Sequence, residues 1–166
     1  MPLDYLTSAK QNFNKYKLLG EKAMEQLKTE DLFWQYNEQS NSIAIIVQHL
    51  CGNMLSRWTN FLTEDGEKEW RERDAEFEKI IKTKEELRIK WDAGWNCLLA
   101  TLYSLTKEDL DKTIYIRKEP LVVIDAINRQ LAHYCYHVGQ IVYLSKMLAG
   151  DQWNSLSIKK GDSKGF

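Results

Sequence analysis

The sequence predicts an all-α chain folded as an antiparallel four-helix bundle, with a short extended segment before the last helix and an extended C-terminal tail. Two observations carry that expectation. Apolar residues recur at helical spacing over four long stretches, and the only two prolines, Pro2 and Pro120, interrupt none of them. A chain of 166 residues is enough for one real core and short for two, so residues 1–166 are expected to form a single domain.

The first helix is expected from about Leu3 to Leu27, where Leu6, Phe13, Tyr16, Leu19, Ala23 and Leu27 keep near-helical spacing. The second runs from about Ser42 to Leu62. Asn41 or Ser42 can cap it, and Ile43, Val47, Leu50, Met54, Trp58 and Phe61 form its stripe. The third runs from about Lys84 to Leu105. Thr83 and Glu86 have the form of a capping box, and Leu87, Trp91, Trp95, Leu98 and Leu102 mark one face. The fourth starts near Pro120, a residue favoured at the first helical position, and ends near Ala149, where Gly150 suits a stop.

The connections differ in character. "FLTEDGEKEWRERDAEF", between helices two and three, is too charged to be core, and its "RERD" (Arg71, Glu72, Arg73, Asp74) reads first as solvated charge, with room for a structural role at the mouth of the bundle. "DKTIYIRKE" alternates through Thr113, Ile114, Tyr115, Ile116 and Arg117 and reads as a short strand or extended arm. The tail "QWNSLSIKKGDSKGF" is expected to run extended over the bundle.

Composition narrows the function classes. A net charge of −1 gives no electrostatic case for nucleic acid or an anionic membrane. The longest purely apolar run, Ile43 to Val47, is far below a membrane span, and the N-terminus lacks the apolar core of a signal peptide. Cys51, Cys97 and Cys135 are an odd count without CxxC spacing, read as buried free thiols of a cytoplasmic protein. Tyr136 and Tyr143 read as core.

The chemistry concentrates in the histidines. His133 and His137 stand four residues apart, hence on one helix face about 6 Å apart along the axis, within reach of one ion. Gln130, His133, His137 and Gln140 form a polar seam in an apolar helix, and such a seam must find hydrogen-bond partners or a metal. The third histidine, His49, also lies on an apolar helix, with Asn53 one turn on and Arg57 two turns on. Any one of them alone reads as a satisfied core imidazole; the three together point to a metal site. Imidazoles suit Zn²⁺, Ni²⁺ or Co²⁺ better than Mg²⁺ or Ca²⁺, and three protein ligands leave a position for water or substrate. Asn53, Arg57 and Gln140 are candidate helpers near the ligands. Arg57 can hold a substrate carboxylate or pair with Glu64 or Asp74. Cys135 points about 200° around the helix from His133 and is set aside as a ligand.

"AINRQLAHYCYHVGQIVYLSK" resembles the last-helix signature of the DinB-like superfamily of four-helix-bundle metalloproteins, and "NSIAIIVQHLCGNMLSRWTNFLTEDGEKEWRERDAEF" resembles its histidine-bearing second helix. The loop "DGEKEWRERDAEF" and the tail "WNSLSIKKG" are similar to those of a mostly uncharacterised branch, so the resemblance covers nearly the whole chain. It implies a metal held by His49, His133 and His137, and a homodimer. Some family members are similar to thiol-dependent transferases that use bacillithiol, mycothiol or glutathione. The functional expectation is a Zn²⁺- or Ni²⁺-dependent enzyme acting on a small molecule: an S-transferase using a low-molecular-weight thiol, or a hydrolase. The alternative is a non-catalytic, metal-binding dimeric stress protein.

Overall fold

The long helices begin where the sequence supplies oxygen acceptors for their first amides. In the computed structural model, which describes residues 4–159, 161, 162 and 164, α1 spans Tyr5–Met24, α2 Ile43–Trp58, α3 Lys84–Ser104 and α4 Val123–Ala149. The Asp4 carboxylate accepts from Thr7 N at 2.9 Å, and Ser42, not Asn41, caps α2 by accepting from Ile45 N at 3.2 Å. Thr83 and Glu86 form the capping box expected for α3. The expected helix start at Leu3 and the last few tail residues lie outside the described residues, and none of the helices described is long and apolar enough to cross a membrane.

The all-α expectation needs correction. Thr113–Ile116 is a strand (β1), as its alternation suggests, but Glu119–Val122 is its antiparallel partner (β2), with Ile116 opposite Glu119 and Thr113 opposite Val122. Pro120 therefore lies in a strand and does not open α4. The turn residues Arg117 and Lys118 both adopt positive φ, 57° and 64°. That is the conformation two-residue hairpin turns require and non-glycine residues rarely take. The Asp65 carboxylate offsets the cost by accepting from both turn amides, at 2.8 and 2.7 Å. α4 starts directly after β2. Its first amides are satisfied by main-chain oxygens, Val123 N to Lys112 O at 2.9 Å and Ile124 N to Leu110 O at 3.2 Å.

α2 packs chiefly on α3, and α1 on α4, with smaller α1–α3 and α2–α4 contacts. All the expected stripe residues of the second and third helices are buried, although α2 ends at Trp58 and Phe61 follows in a turn. The close α2–α3 approach depends on Gly94, where a Cβ would lie 3.0 Å from Cys51 Cα. Phe13, Trp58, Trp95 and Tyr134, one from each long helix, meet in the centre with ring centroids 6.1–6.2 Å apart. There the Trp58 indole donates to Tyr134 Oη at 3.0 Å, and Tyr134 donates to Asn53 Oδ1 at 2.9 Å.

The loop after α2 corrects a second expectation. It lies against α2 and buries charge: Glu76 and Lys68 are buried, and the Arg71 side chain is only 2% exposed. Pairing makes this possible, because a buried ion is tolerated where an opposite charge and hydrogen bonds replace water. At the other end of the chain, Asn154 exchanges hydrogen bonds with Gln26 at 2.7 and 3.1 Å, and Leu156 packs against the core, so this first part of the tail lies over the bundle as expected.

Two further readings change. Tyr136 and Tyr143 are exposed and not core. All three cysteines are free, but only Cys51 is buried. Cys97 and Cys135 are half-buried, and Cys135 faces Tyr16 of α1.

Candidate metal centre

The three histidines converge although they come from distant parts of the chain. One ring nitrogen from each lies within 4.8 Å of the others. His49 is on α2 and buried. His133 and His137 are on α4, one half-buried and one buried. His49 Nε2 and His133 Nε2 are 3.3 Å apart. Two nitrogens bound to one tetrahedral Zn²⁺ at about 2.0–2.1 Å stand about 3.3–3.4 Å apart, so this spacing matches an edge of that tetrahedron.

The opposite side of each ring is held. His49 Nδ1 faces the Glu76 carboxylate at 2.9 Å, His133 Nδ1 faces Gln130 Oε1 at 3.4 Å, and His137 Nδ1 faces Gln140 Oε1 at 2.8 Å. An Nδ1–H donated to each acceptor leaves Nε2 as a lone pair directed inward. Burial first, and then proximity to the His137 and His49 rings, hold His133 down to about 3; burial holds His137 down to about 4. Both are therefore neutral, as metal ligands must be. Among the described residues, His137 Nε2 is buried with no hydrogen-bond partner, the kind of orphaned polar atom that a cation would satisfy. The residues present thus fit a divalent ion of imidazole preference. A carboxylate or amide behind each ligating imidazole is the usual outer arrangement of such sites.

Glu76 is fixed in turn. Burial alone would raise its carboxyl, but the hydrogen bonds from Arg71 and His49 and the charge of Arg71 outweigh burial and hold it below the usual carboxylate range. Arg71 grips it bidentately, Nε to Oε1 at 2.7 Å and Nη2 to Oε2 at 2.9 Å. Gly52, one turn past His49, leaves the space this carboxylate occupies: a Cβ there would lie 2.2 Å from Glu76 Oε1. Phe77, the next residue, stacks on His49 with centroids 5.1 Å apart.

Of the expected helpers, Gln140 meets a histidine directly. Asn53 lines the cleft but is engaged by Tyr134. Arg57 pairs with neither Glu64 nor Asp74: its Nη2 donates to Glu67 at 3.0 Å and its Nη1 to Gly66 O. The sequence reading missed Glu76 and Arg71 in these roles. Glu76 lies 27 residues from His49 in a loop read as solvated, and its one local sign is a glycine interrupting the apolar run of α2.

A cleft of about 500 Å³ opens over the three histidines, with Asn53, Phe77, Gln130 and Tyr136 among its lining. A family model described as "Protein of unknown function (DUF1572)" matches residues 1–162. The chain belongs to this family. No curated protein matches it. In this DUF1572 member the three histidines thus lie together at an open cleft.

Proposed function

We propose that the chain is a divalent-metal protein of the DinB-like four-helix-bundle type, with His49, His133 and His137 as ligands to Zn²⁺ or Ni²⁺. We further propose that it acts as an enzyme on a small molecule, with transfer of a low-molecular-weight thiol to an electrophile as the leading reaction. The observation that carries the reading is the convergence of three imidazoles whose outer nitrogens are each held by an acceptor. Three protein nitrogens are one fewer than the four ligands of structural zinc, and the cleft gives a small molecule access to them. When bound, such an ion supplies Lewis acidity that lowers the pKa of a thiol or water. The chain's own groups do the rest. Glu76, Gln130 and Gln140 fix the imidazole tautomers, Arg71 fixes Glu76, and Phe77 covers His49.

Elemental analysis after purification without a nickel column tests the ligand set. The expected result is one ion per wild-type chain and a large loss in His137→Ala; equal content in both sinks the assignment. Turnover of a chromogenic electrophile with bacillithiol or glutathione tests the reaction, and activity unchanged in His133→Ala removes it.

A homodimer is proposed as well. Trp58, Trp91 and Trp95 are buried, whereas Trp34 and Trp70 remain 37% and 56% exposed, and Tyr143 and Met147 of α4 are also exposed. Sedimentation should show a dimer at micromolar concentration, and a monomer throughout that range contradicts it.

A further inference from the structure

We infer that the cleft over the histidines takes an organic molecule by an anionic oxygen group, a carboxylate or a phosphoryl, held by Arg73 and Arg129. Among the described residues, five arginines line this cleft, Arg57, Arg71, Arg73, Arg117 and Arg129, and no carboxylate does. Two carboxylates behind the wall answer three of them. Glu76 pairs with Arg71 at 2.7 Å, while Glu67 pairs with Arg57 at 3.0 Å, Arg71 at 3.3 Å and Arg117 at 2.9 Å. Asp65, close by, is occupied by the amides of the hairpin turn. Among the described residues, Arg73 and Arg129 make no ion pair. Arg57, 5% exposed, keeps its Nε buried without a partner among the same residues.

The two unpaired guanidiniums approach from different elements. Arg73 directly precedes the 3₁₀ turn Asp74–Phe77, which carries Glu76 and Phe77. Arg129 is on α4, one turn before His133. Both are exposed, so their forks are free to turn onto an oxyanion. A concave wall of one sign concentrates the field on whatever enters, and a guanidinium matches a carboxylate or phosphoryl with two parallel hydrogen bonds. Phe77 and Tyr136, 41% and 54% exposed, give the same cleft apolar faces for a carbon skeleton. The anion site stands on these groups alone; placing the reacting atom of the same molecule at the histidines rests on the metal-centre reading.

Calorimetric titration with succinate, inorganic phosphate and uncharged succinamide, with and without one equivalent of zinc, tests the inference. Saturable one-to-one binding of succinate, phosphate or both is expected, with none of succinamide. Affinity should fall at least about tenfold in Arg73→Gln and in Arg129→Gln. It should stay unchanged in Arg88→Gln, which alters an exposed arginine on α3 paired with Glu85. Preference for succinate or for phosphate identifies the group. Absence of saturable binding at millimolar anion, or equal affinity in wild type and both cleft variants, overturns the inference. Anion binding that persists in a protein unable to take up zinc removes the metal reading and leaves this one standing. Zinc uptake without anion binding does the reverse.

Discussion

Glu76 is the residue on which the geometry of His49 turns, and Gly52 is what admits it. The Gly52→Ala Cβ would overlap a carboxylate that Arg71 and His49 hold from two sides, so the carboxylate must shift. Loss of an outer partner of a ligating histidine costs about 10–100-fold in metal affinity. Gly52→Ala is therefore expected to fold, with a near-native circular dichroism spectrum, and to bind zinc about 10–100-fold more weakly in a competition assay with a chelator. Wild-type affinity in this variant would detach Glu76 from the site. At this scale the sequence was half legible. His133, His137 and their glutamines share a helix face, so periodicity alone groups them. Glu76 and Arg71 reach the site through the path of a loop, and no local spacing encodes that path.

Among the elements, the link between α1 and α4 has a titratable component. Tyr5 Oη donates to Ile124 O at 3.2 Å and Asn128 Oδ1 at 2.8 Å. Burial, and then the Asp125 carboxylate, push its phenol up to about 12. The unfolded chain ionises Tyr5 near pH 10, whereas the folded chain keeps the proton until about 12. This contribution is complete below pH 10 and is lost as pH rises from 10 through 12. Tyr5→Phe should cost about 1 kcal/mol at neutral pH by urea denaturation and make the alkaline decline shallower; an unchanged pH profile would show that the phenol does not titrate against the fold. The four helices were readable because their caps and stripes are local. The second hairpin strand was not, because Arg117–Lys118 carries none of the glycine or asparagine that marks such a turn. Its positive φ values are held from a distance by Asp65, and Pro120 imitates a helix start.

Across the whole molecule, paired helices, a hairpin and a charged loop meet around one cleft. α2 supplies His49, α4 supplies His133 and His137, the loop supplies Glu76 and Arg71, and the hairpin supplies Arg117. Net charge of −1 conceals this arrangement, since the acids lie elsewhere or behind the wall. Overall composition is silent about a local cationic cleft. Three imidazoles converge, on the proposed reading, to hold an ion, and anomalous diffraction from crystals of protein purified without a nickel column tests this most directly. Data collected on both sides of the zinc and nickel edges should place one strong peak about 2.0–2.1 Å from a ring nitrogen of each of His49, His133 and His137. Crystals soaked in zinc that show no anomalous peak among the three rings, or a peak bound only by other residues, would contradict it.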